Sequence, residues 1–171
     1  MEIIDNVYCG GDKEFERVRT QPGWSFLRTA KEGPGGHRQT LGYHTLGAPK
    51  GPNYLWVRRR NLMALNILDI DDTDSDIKVP DEAIDKGLAF ADERYRAGDK
   101  ILIACNQGHS RGPSMCMMFL RTIGELPQSF HQAEKIFKTL YPKYDPGRGM
   151  RSALRRRWDD LKDKYVGRSS S

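Results

Sequence analysis

The feature that constrains the fold most is a short run of apolar residues, Lys-Ile-Leu-Ile-Ala at 100–104, placed between a helical pattern and a glycine-containing loop. A continuous apolar run of this length is typical of a strand in the middle of a sheet that is covered on both faces. Before it, apolar residues recur at helical spacing over about 80–97, and Gly98 ends that pattern. A buried strand that follows one helix and precedes another predicts an α/β fold.

The remaining segments continue this alternation of strands and helices. Strands are predicted at 2–9, 24–29 and 63–70, and helices at 12–20 (capped by Asp12), from Pro113, from Pro127 and at 148–165. We therefore expect a single domain over 1–166, with a central, mostly parallel sheet flanked by helices, a helical C-terminal part and a flexible tail at 167–171. A glycine- and proline-rich segment at 31–52 shows no periodicity, which makes it a candidate for function.

Composition and charge exclude several protein classes. Of 171 residues, 37% are hydrophobic and 30% charged, which is unlike a fibrous or disordered chain, and no apolar run approaches the length of a membrane span. The N-terminal residues lack the pattern of a signal peptide, and three cysteines fit neither a disulfide framework nor a zinc site, so a reducing cytoplasm is expected. The net charge of +5 is concentrated after residue 150, where seven Lys or Arg oppose three Asp and leave +4. This balance favours an anionic or phosphorylated partner.

The segment that follows the buried strand carries the chemistry. A loop between the carboxyl end of a strand and the N-terminus of a helix presents backbone N–H groups without intrahelical partners, and together with the helix dipole these form an anion site suited to phosphate. Gly108 gives the loop conformational freedom, and the planar guanidinium of Arg111 matches two phosphate oxygens. The same N–H groups favour the thiolate form of Cys105, and Ser110 is expected to donate a hydrogen bond to that sulfur.

The spacing Cys-x5-Arg, with Gly108 and Ser110 inside it, resembles the signature of the cysteine-dependent protein phosphatases, and in particular of their dual-specificity branch. Residues 7–11 resemble the family's first-strand element, and the likeness extends over roughly residues 2–125. The resemblance implies a cysteine-phosphatase fold and the hydrolysis of phosphate monoesters without a metal or a cofactor. In that reaction Cys105 is the nucleophile, Arg111 holds the phosphate oxygens and Ser110 stabilises the returning thiolate.

The resemblance also implies substrate contacts and a general acid. The loop residues expected at the substrate are Asn106, Gln107, Gly108 and His109. The family needs an Asp some thirty residues before the nucleophile, which protonates the leaving oxygen. Alignment of the preceding strand favours Asp72, 33 residues before Cys105, whereas a gapless count favours Asp74, 31 residues before it. Asp71 is a further alternative for the acid, and Asp74 is otherwise expected at the substrate.

Two positions depart from the family pattern. Ala104 replaces the His that normally precedes the nucleophile and helps set the ionisation of its thiol, and Gly112 replaces a common Ser or Thr. These departures keep open a second hypothesis, a catalytically weak or inactive protein that binds phosphate. A buried core thiol is the alternative interpretation of Cys105. Cys116 is expected in the core, and a disulfide from Cys9 to Cys105 is an alternative to a free Cys9.

The segment after the second strand follows the end of the sheet at which α/β folds bind ligands, so Lys31 and His37 are expected to reach the substrate, with an ordinary solvated loop as the alternative. The expected function is a dual-specificity phosphatase acting on phosphotyrosine, phosphoserine or phosphothreonine. Aromatic and basic residues over 31–60 keep a second substrate class open, namely RNA 5′ ends, nucleotides or ADP-ribose-like phosphates. The expected partner is a phosphorylated protein or a small phosphate ester, with nucleic acid as an alternative and no membrane.

Overall fold

The computed structural model describes residues 1–68 and 79–166. Within these residues, strands β1 to β6 occupy Glu2–Ile4, Val7–Gly10, Trp24–Arg28, Trp56–Arg59, Leu62–Leu65 and Lys100–Ala104. Helices α1 to α6 occupy Asp12–Val18, His37–Leu41, Asp81–Arg96, Arg111–Thr122, Phe130–Leu140 and Arg148–Val166. The tail predicted at 167–171 lies outside the described residues.

The strands form one sheet in the order β1-β2-β6-β3-β5-β4. Strands β2, β6, β3 and β5 are parallel, and β1 and β4 add an antiparallel strand at each edge. The apolar strand β6 lies inside the sheet, between β2 and β3, as its sequence predicts. The prediction of an α/β fold with a central, mostly parallel sheet, flanking helices and a helical C-terminal part is confirmed.

Some local elements differ from the predicted ones. Residues 2–9, predicted as one strand, form the β1–β2 hairpin because Asn6 adopts a left-handed φ of 66° and the chain reverses there. The pattern of the sequence does not predict α2 or β4. Helix α2 has only five residues, and β4 is an edge strand with two exposed arginines, so neither carries a clear apolar period. The strand predicted at 63–70 is observed at Leu62–Leu65, and its predicted end lies outside the described residues.

The two faces of the sheet carry cores of different size. The larger core contains residues of α3, α4, α5 and α6, and α4 is buried along its whole length after Arg111. On the other face, Phe15 of α1 packs with Phe26, Leu102 and Ala104. The end of β6 and the start of α4 are therefore held between two packed layers, which fixes the position of the loop between them. Among the residues that the structure describes, no helix is long and apolar enough to cross a membrane.

Candidate active site

Cys105 lies directly after β6, at the start of the loop that leads to α4. Only 3% of its surface is exposed, so it forms the floor of the loop and not its rim. Gly108 adopts a φ of +80°, a backbone conformation that favours glycine, and its carbonyl accepts a hydrogen bond of 2.8 Å from the Tyr141 hydroxyl. The loop thus curls between a buried strand and a buried helix, as its sequence predicts.

Arg111, the first residue of α4, is fixed across this loop. Its Nη1 donates to the carbonyl of Ile67 at 3.0 Å, and its Nη2 donates to Oδ1 of Asn106 at 2.8 Å. Its Nε is buried and has no hydrogen-bond partner among the described residues. An unused N–H on a half-buried guanidinium retains the capacity to bind an anionic oxygen.

Asn106 connects the loop to its surroundings through its side chain. Besides accepting from Arg111, it donates through Nδ2 to the carbonyl of Glu32 at 2.9 Å and lies 3.4 Å from each carboxylate oxygen of Asp12. Its own carbonyl accepts the backbone N–H of Asp12 at 2.8 Å. The position that the sequence predicts for substrate contact is thus also a structural junction between α1, the segment after β3 and α4.

Arg28, in β3, lies behind the loop and is fully buried. Its Nη1 donates to the carbonyl of Cys105 at 3.1 Å, and its Nη2 donates to the carboxylate of Asp12. Its guanidinium lies 4.7 Å from the centre of the Phe15 ring. Burial lowers the pKa of Arg28, and the neighbouring Asp12 opposes that shift, so the residue remains a cation paired with a carboxylate.

The last residues of the loop are tied to the segment between α5 and α6. The Ser110 hydroxyl oxygen accepts the backbone N–H of Gly147 at 2.9 Å, which leaves its proton available for another acceptor. The backbone carbonyl of His109 accepts the N–H of Asp145 at 2.8 Å, and Nδ1 of the His109 ring lies 3.2 Å from the carbonyl of Lys143. His109 and Gln107 are exposed at the rim.

Lys31 and His37, expected at the substrate, are engaged elsewhere in the structure. His37 is completely buried, with Nδ1 at 3.0 Å from the Tyr43 hydroxyl and Nε2 at 2.7 Å from the Asn53 carbonyl. Burial lowers its pKa, which favours the neutral ring. Lys31 donates to the carbonyl of Leu46 at 2.6 Å. Both side chains form these hydrogen bonds within the segment between β3 and β4, and so organise that segment.

The three cysteines are free and buried. Cys9 and Cys116 share a hydrogen bond, and burial raises the pKa of Cys9 well above its ordinary value, so Cys9 is a protonated core thiol. No disulfide links Cys9 to Cys105, which makes that alternative wrong for this structure. The candidate acid Asp72, its alternatives Asp71 and Asp74, and the expected substrate contact of Asp74 lie outside the described residues.

Sequence reasoning missed Arg28 and Asp12 as parts of the site. A charged residue inside the strand predicted at 24–29 is the available signal for Arg28, because an arginine is almost never buried without a partner. Asp12 was expected to cap α1, which is wrong. Gly11 is the N-cap, and the Glu14 carboxylate accepts the N–H of Gly11 at 2.8 Å. The Asp12 carboxylate is therefore available to Arg28.

The packing of the loop explains why glycine occupies position 112, one of the two departures from the family pattern. A Cβ at this position would lie 2.8 Å from the backbone nitrogen of Cys105, which is closer than real Cβ contacts. The absence of a side chain lets the first turn of α4 approach the start of the loop.

Comparison with known proteins supports the fold. No protein-family model matches the sequence, and no curated protein matches it either. Solved structures do match. Human DUSP28 is 17% identical with a TM-score of 0.61, covering 95% of this chain and 98% of its own. DUSP15 is 14% identical with a TM-score of 0.65, covering 98% of this chain and 95% of its own. The protein has the fold of the dual-specificity phosphatases.

A third similar structure of this dual-specificity phosphatase fold is a mouse putative dual specificity phosphatase complexed with zinc tungstate. It is 18% identical with a TM-score of 0.59, and the match covers 95% of this chain and 88% of that one. These likenesses extend over nearly the whole chain, including the helices beyond residue 125, where the sequence resemblance was looser.

Proposed function

We propose that the protein is a cysteine-dependent phosphatase that hydrolyses phosphate monoesters, with phosphorylated tyrosine, serine or threonine side chains as its substrates. The observation that supports this most directly is the loop at 105–111. It begins with a thiol on the floor and ends with a guanidinium that is fixed across it and keeps one buried N–H unused. The fold supports the same proposal, since the similar structures include a putative dual specificity phosphatase complexed with zinc tungstate, and tungstate is an oxyanion that resembles phosphate.

The proposed reaction has two steps. The Cys105 thiolate attacks phosphorus, so that the S–P bond forms as the bond to the leaving oxygen breaks, and that oxygen takes a proton from an aspartic acid. Water then attacks phosphorus, the aspartate takes its proton, and inorganic phosphate and the thiolate are released. Arg111 and the N–H groups at the start of α4 hold the non-bridging oxygens in both steps. From the sequence Asp72 is the proposed acid, with Asp71 and Asp74 as alternatives.

Hydrolysis of p-nitrophenyl phosphate tests this proposal. We expect vanadate-sensitive turnover by the parent protein and a fall to the background rate in Cys105→Ser, because a hydroxyl is not ionised at neutral pH. Cys116→Ala is the matched control, since Cys116 is a buried thiol in α4 outside the loop, and it should retain activity. Unchanged turnover in Cys105→Ser would contradict the proposal.

A panel of substrates separates the possible phosphate esters. Phosphotyrosine and phosphoserine peptides, nucleotides and 5′-phosphorylated RNA should be compared at equal concentration. Hydrolysis of both peptide classes supports dual specificity, and turnover of nucleotides alone would contradict the protein-phosphatase proposal. Vanadate binding by a protein that turns over none of these compounds would instead favour the hypothesis of a phosphate-binding protein without catalysis.

A further inference from the structure

Arg28 and Ala104 are paired neighbours on two adjacent inner strands of the sheet. Strands β3 and β6 are parallel, and their register pairs these two residues. Side chains of directly paired residues point to the same face of a sheet, and on this face Ala104 packs with Phe15 and Phe26. The guanidinium of Arg28 lies over the same Phe15 ring, 4.7 Å from its centre. Because Ala104 carries only a methyl group, the long side chain of Arg28 has room to pass behind the loop.

From this position Arg28 reaches both ends of the loop. It contacts the carbonyl of Cys105 directly, at 3.1 Å. It reaches Arg111 through two intermediates, because it pairs with Asp12, which is bonded to Asn106, and Asn106 accepts from Arg111. One hydrogen-bonded chain therefore connects Arg28, the buried cation behind Cys105, to Arg111, the proposed phosphate ligand.

The two side chains of the Arg28–Asp12 ion pair differ in their exposure to water. The Arg28 side chain has no solvent exposure, whereas 32% of the Asp12 side chain is exposed. Water screens the exposed carboxylate more than the buried guanidinium, so the positive end of the pair dominates at the floor of the loop. After burial and Asp12, a charge on Cys105 raises the pKa of Arg28 and the charge of Arg111 lowers it, as expected of two cations around one anion site.

We propose that Arg28 is a positioning residue of this site, which holds the backbone of Cys105 and supplies a second positive charge behind its thiolate. This inference rests on the proposed function. It also gives a physical account of Ala104, whose small side chain is the condition for Arg28 to lie where it does.

Several charged or titratable groups lie around Cys105 and its loop, on the described elements packed there. They are Arg28 from β3, Asp12 from α1, Arg111 from α4, Cys9 from β2 and Tyr141 from the end of α5. Burial raises the pKa values of both Cys9 and Tyr141, so these two groups stay neutral at physiological pH. Arg28 and Asp12 are thus the charges whose removal tests the proposed effect, with Arg111 itself left unmutated.

The test is the pH dependence of alkylation of Cys105 by iodoacetamide, followed by peptide mass spectrometry in the full chain. In Arg28→Met, loss of the cation should move the midpoint of alkylation upward by about one pH unit, which is about tenfold less reaction at a pH below both midpoints. In Asp12→Asn, loss of the anion should move the midpoint downward. Arg28→Lys should restore part of the shift. The matched control is Arg121→Met, which removes another buried arginine, one that lies over Trp158, and should leave the midpoint unchanged.

The proposal predicts midpoint shifts of opposite sign for Arg28→Met and Asp12→Asn. A merely structural role of the ion pair would shift both midpoints in the same direction, because both variants break the same pair. Midpoints that rise together, or that do not move, would overturn the proposal. If Arg28→Met does not fold, Asp12→Asn decides alone, since only a lowered midpoint agrees with the proposal. Alkylation requires no turnover. A parent protein that fails to hydrolyse p-nitrophenyl phosphate therefore contradicts the proposed function, and leaves the test of Arg28 valid.

Discussion

Replacement of Gly108 by alanine tests how tightly the candidate phosphate loop is packed. A Cβ at this position would lie 2.9 Å from the carbonyl carbon of Gly10, 3.1 Å from its oxygen and 3.0 Å from the Tyr141 hydroxyl. None of these atoms moves easily, because two belong to the backbone of β2 and the third is held by its hydrogen bond to the Gly108 carbonyl. The residue also has a φ of +80°, which strains any other residue.

The two costs can be separated with a matched variant. Gly124 has a φ of +83°, and an added Cβ there would meet nothing within 4 Å. Gly124→Ala should therefore show the backbone strain alone, about 1–2 kcal/mol of unfolding free energy. Gly108→Ala should lose that amount and a further 1–3 kcal/mol or so for the forced contacts. The additional loss corresponds to a melting temperature roughly 2–12 °C lower than that of Gly124→Ala in a chain of this size.

Urea or thermal unfolding followed by circular dichroism measures both variants, and p-nitrophenyl phosphate turnover measures the loop. We expect Gly108→Ala to lose activity as well as stability, because relief of the contact must move the backbone that is proposed to bind phosphate. Gly124→Ala should keep its turnover. Equal stability of the two variants would refute the argument that the loop is in close contact with β2 and Tyr141.

Two further predictions concern a serine of the loop and the buried histidine after β3. Ser110→Ala should lose about 1–3 kcal/mol, because the N–H of Gly147 loses its acceptor, and should slow breakdown of the phosphoenzyme in a burst experiment. Ser114→Ala, which removes a buried hydroxyl without a partner among the described residues, should be no less stable than the parent. Equal losses of unfolding free energy in the two serine variants would contradict the argument. Burial lowers the folded pKa of His37 below its unfolded value of about 6.5, so the unfolded chain takes up this proton at a higher pH than the folded one. Stability should therefore decrease as the pH falls from about 7. His37→Gln should make the melting temperature less dependent on pH over about pH 7 to 5, and a pH dependence equal to that of the parent would contradict the argument.

Much of the framework follows from local patterns in the sequence. The apolar run at β6, the helical period before it and the turn residues around it are each contained in a few neighbouring residues, and they predict the layer architecture. The helix caps show where local patterns suffice and where they fail. Ser129 lies just before α5 and caps it, with its hydroxyl accepting the N–H of Gln132 at 3.3 Å. Asp12 does not cap α1, since its carboxylate pairs with an arginine sixteen positions away.

The same division applies to the site. The positions of Cys105, Ser110 and Arg111 are predicted because one loop and one helix start hold all three. The burial of His37 was not predicted, because its two partners lie on a segment without periodicity, and a histidine after a strand has the same local sequence whether it faces a ligand or the core.

The sequence by itself determined that a thiol, a glycine, a serine and an arginine would share one turn between a strand and a helix, because that arrangement depends on spacing along a few residues. Only the tertiary structure decided which side chains pack behind this turn. Arg28 meets the Cys105 carbonyl across 77 positions of the chain, and Asn106 meets Asp12 across 94. Such contacts follow from strand order and register, which place distant residues side by side and which no local pattern encodes.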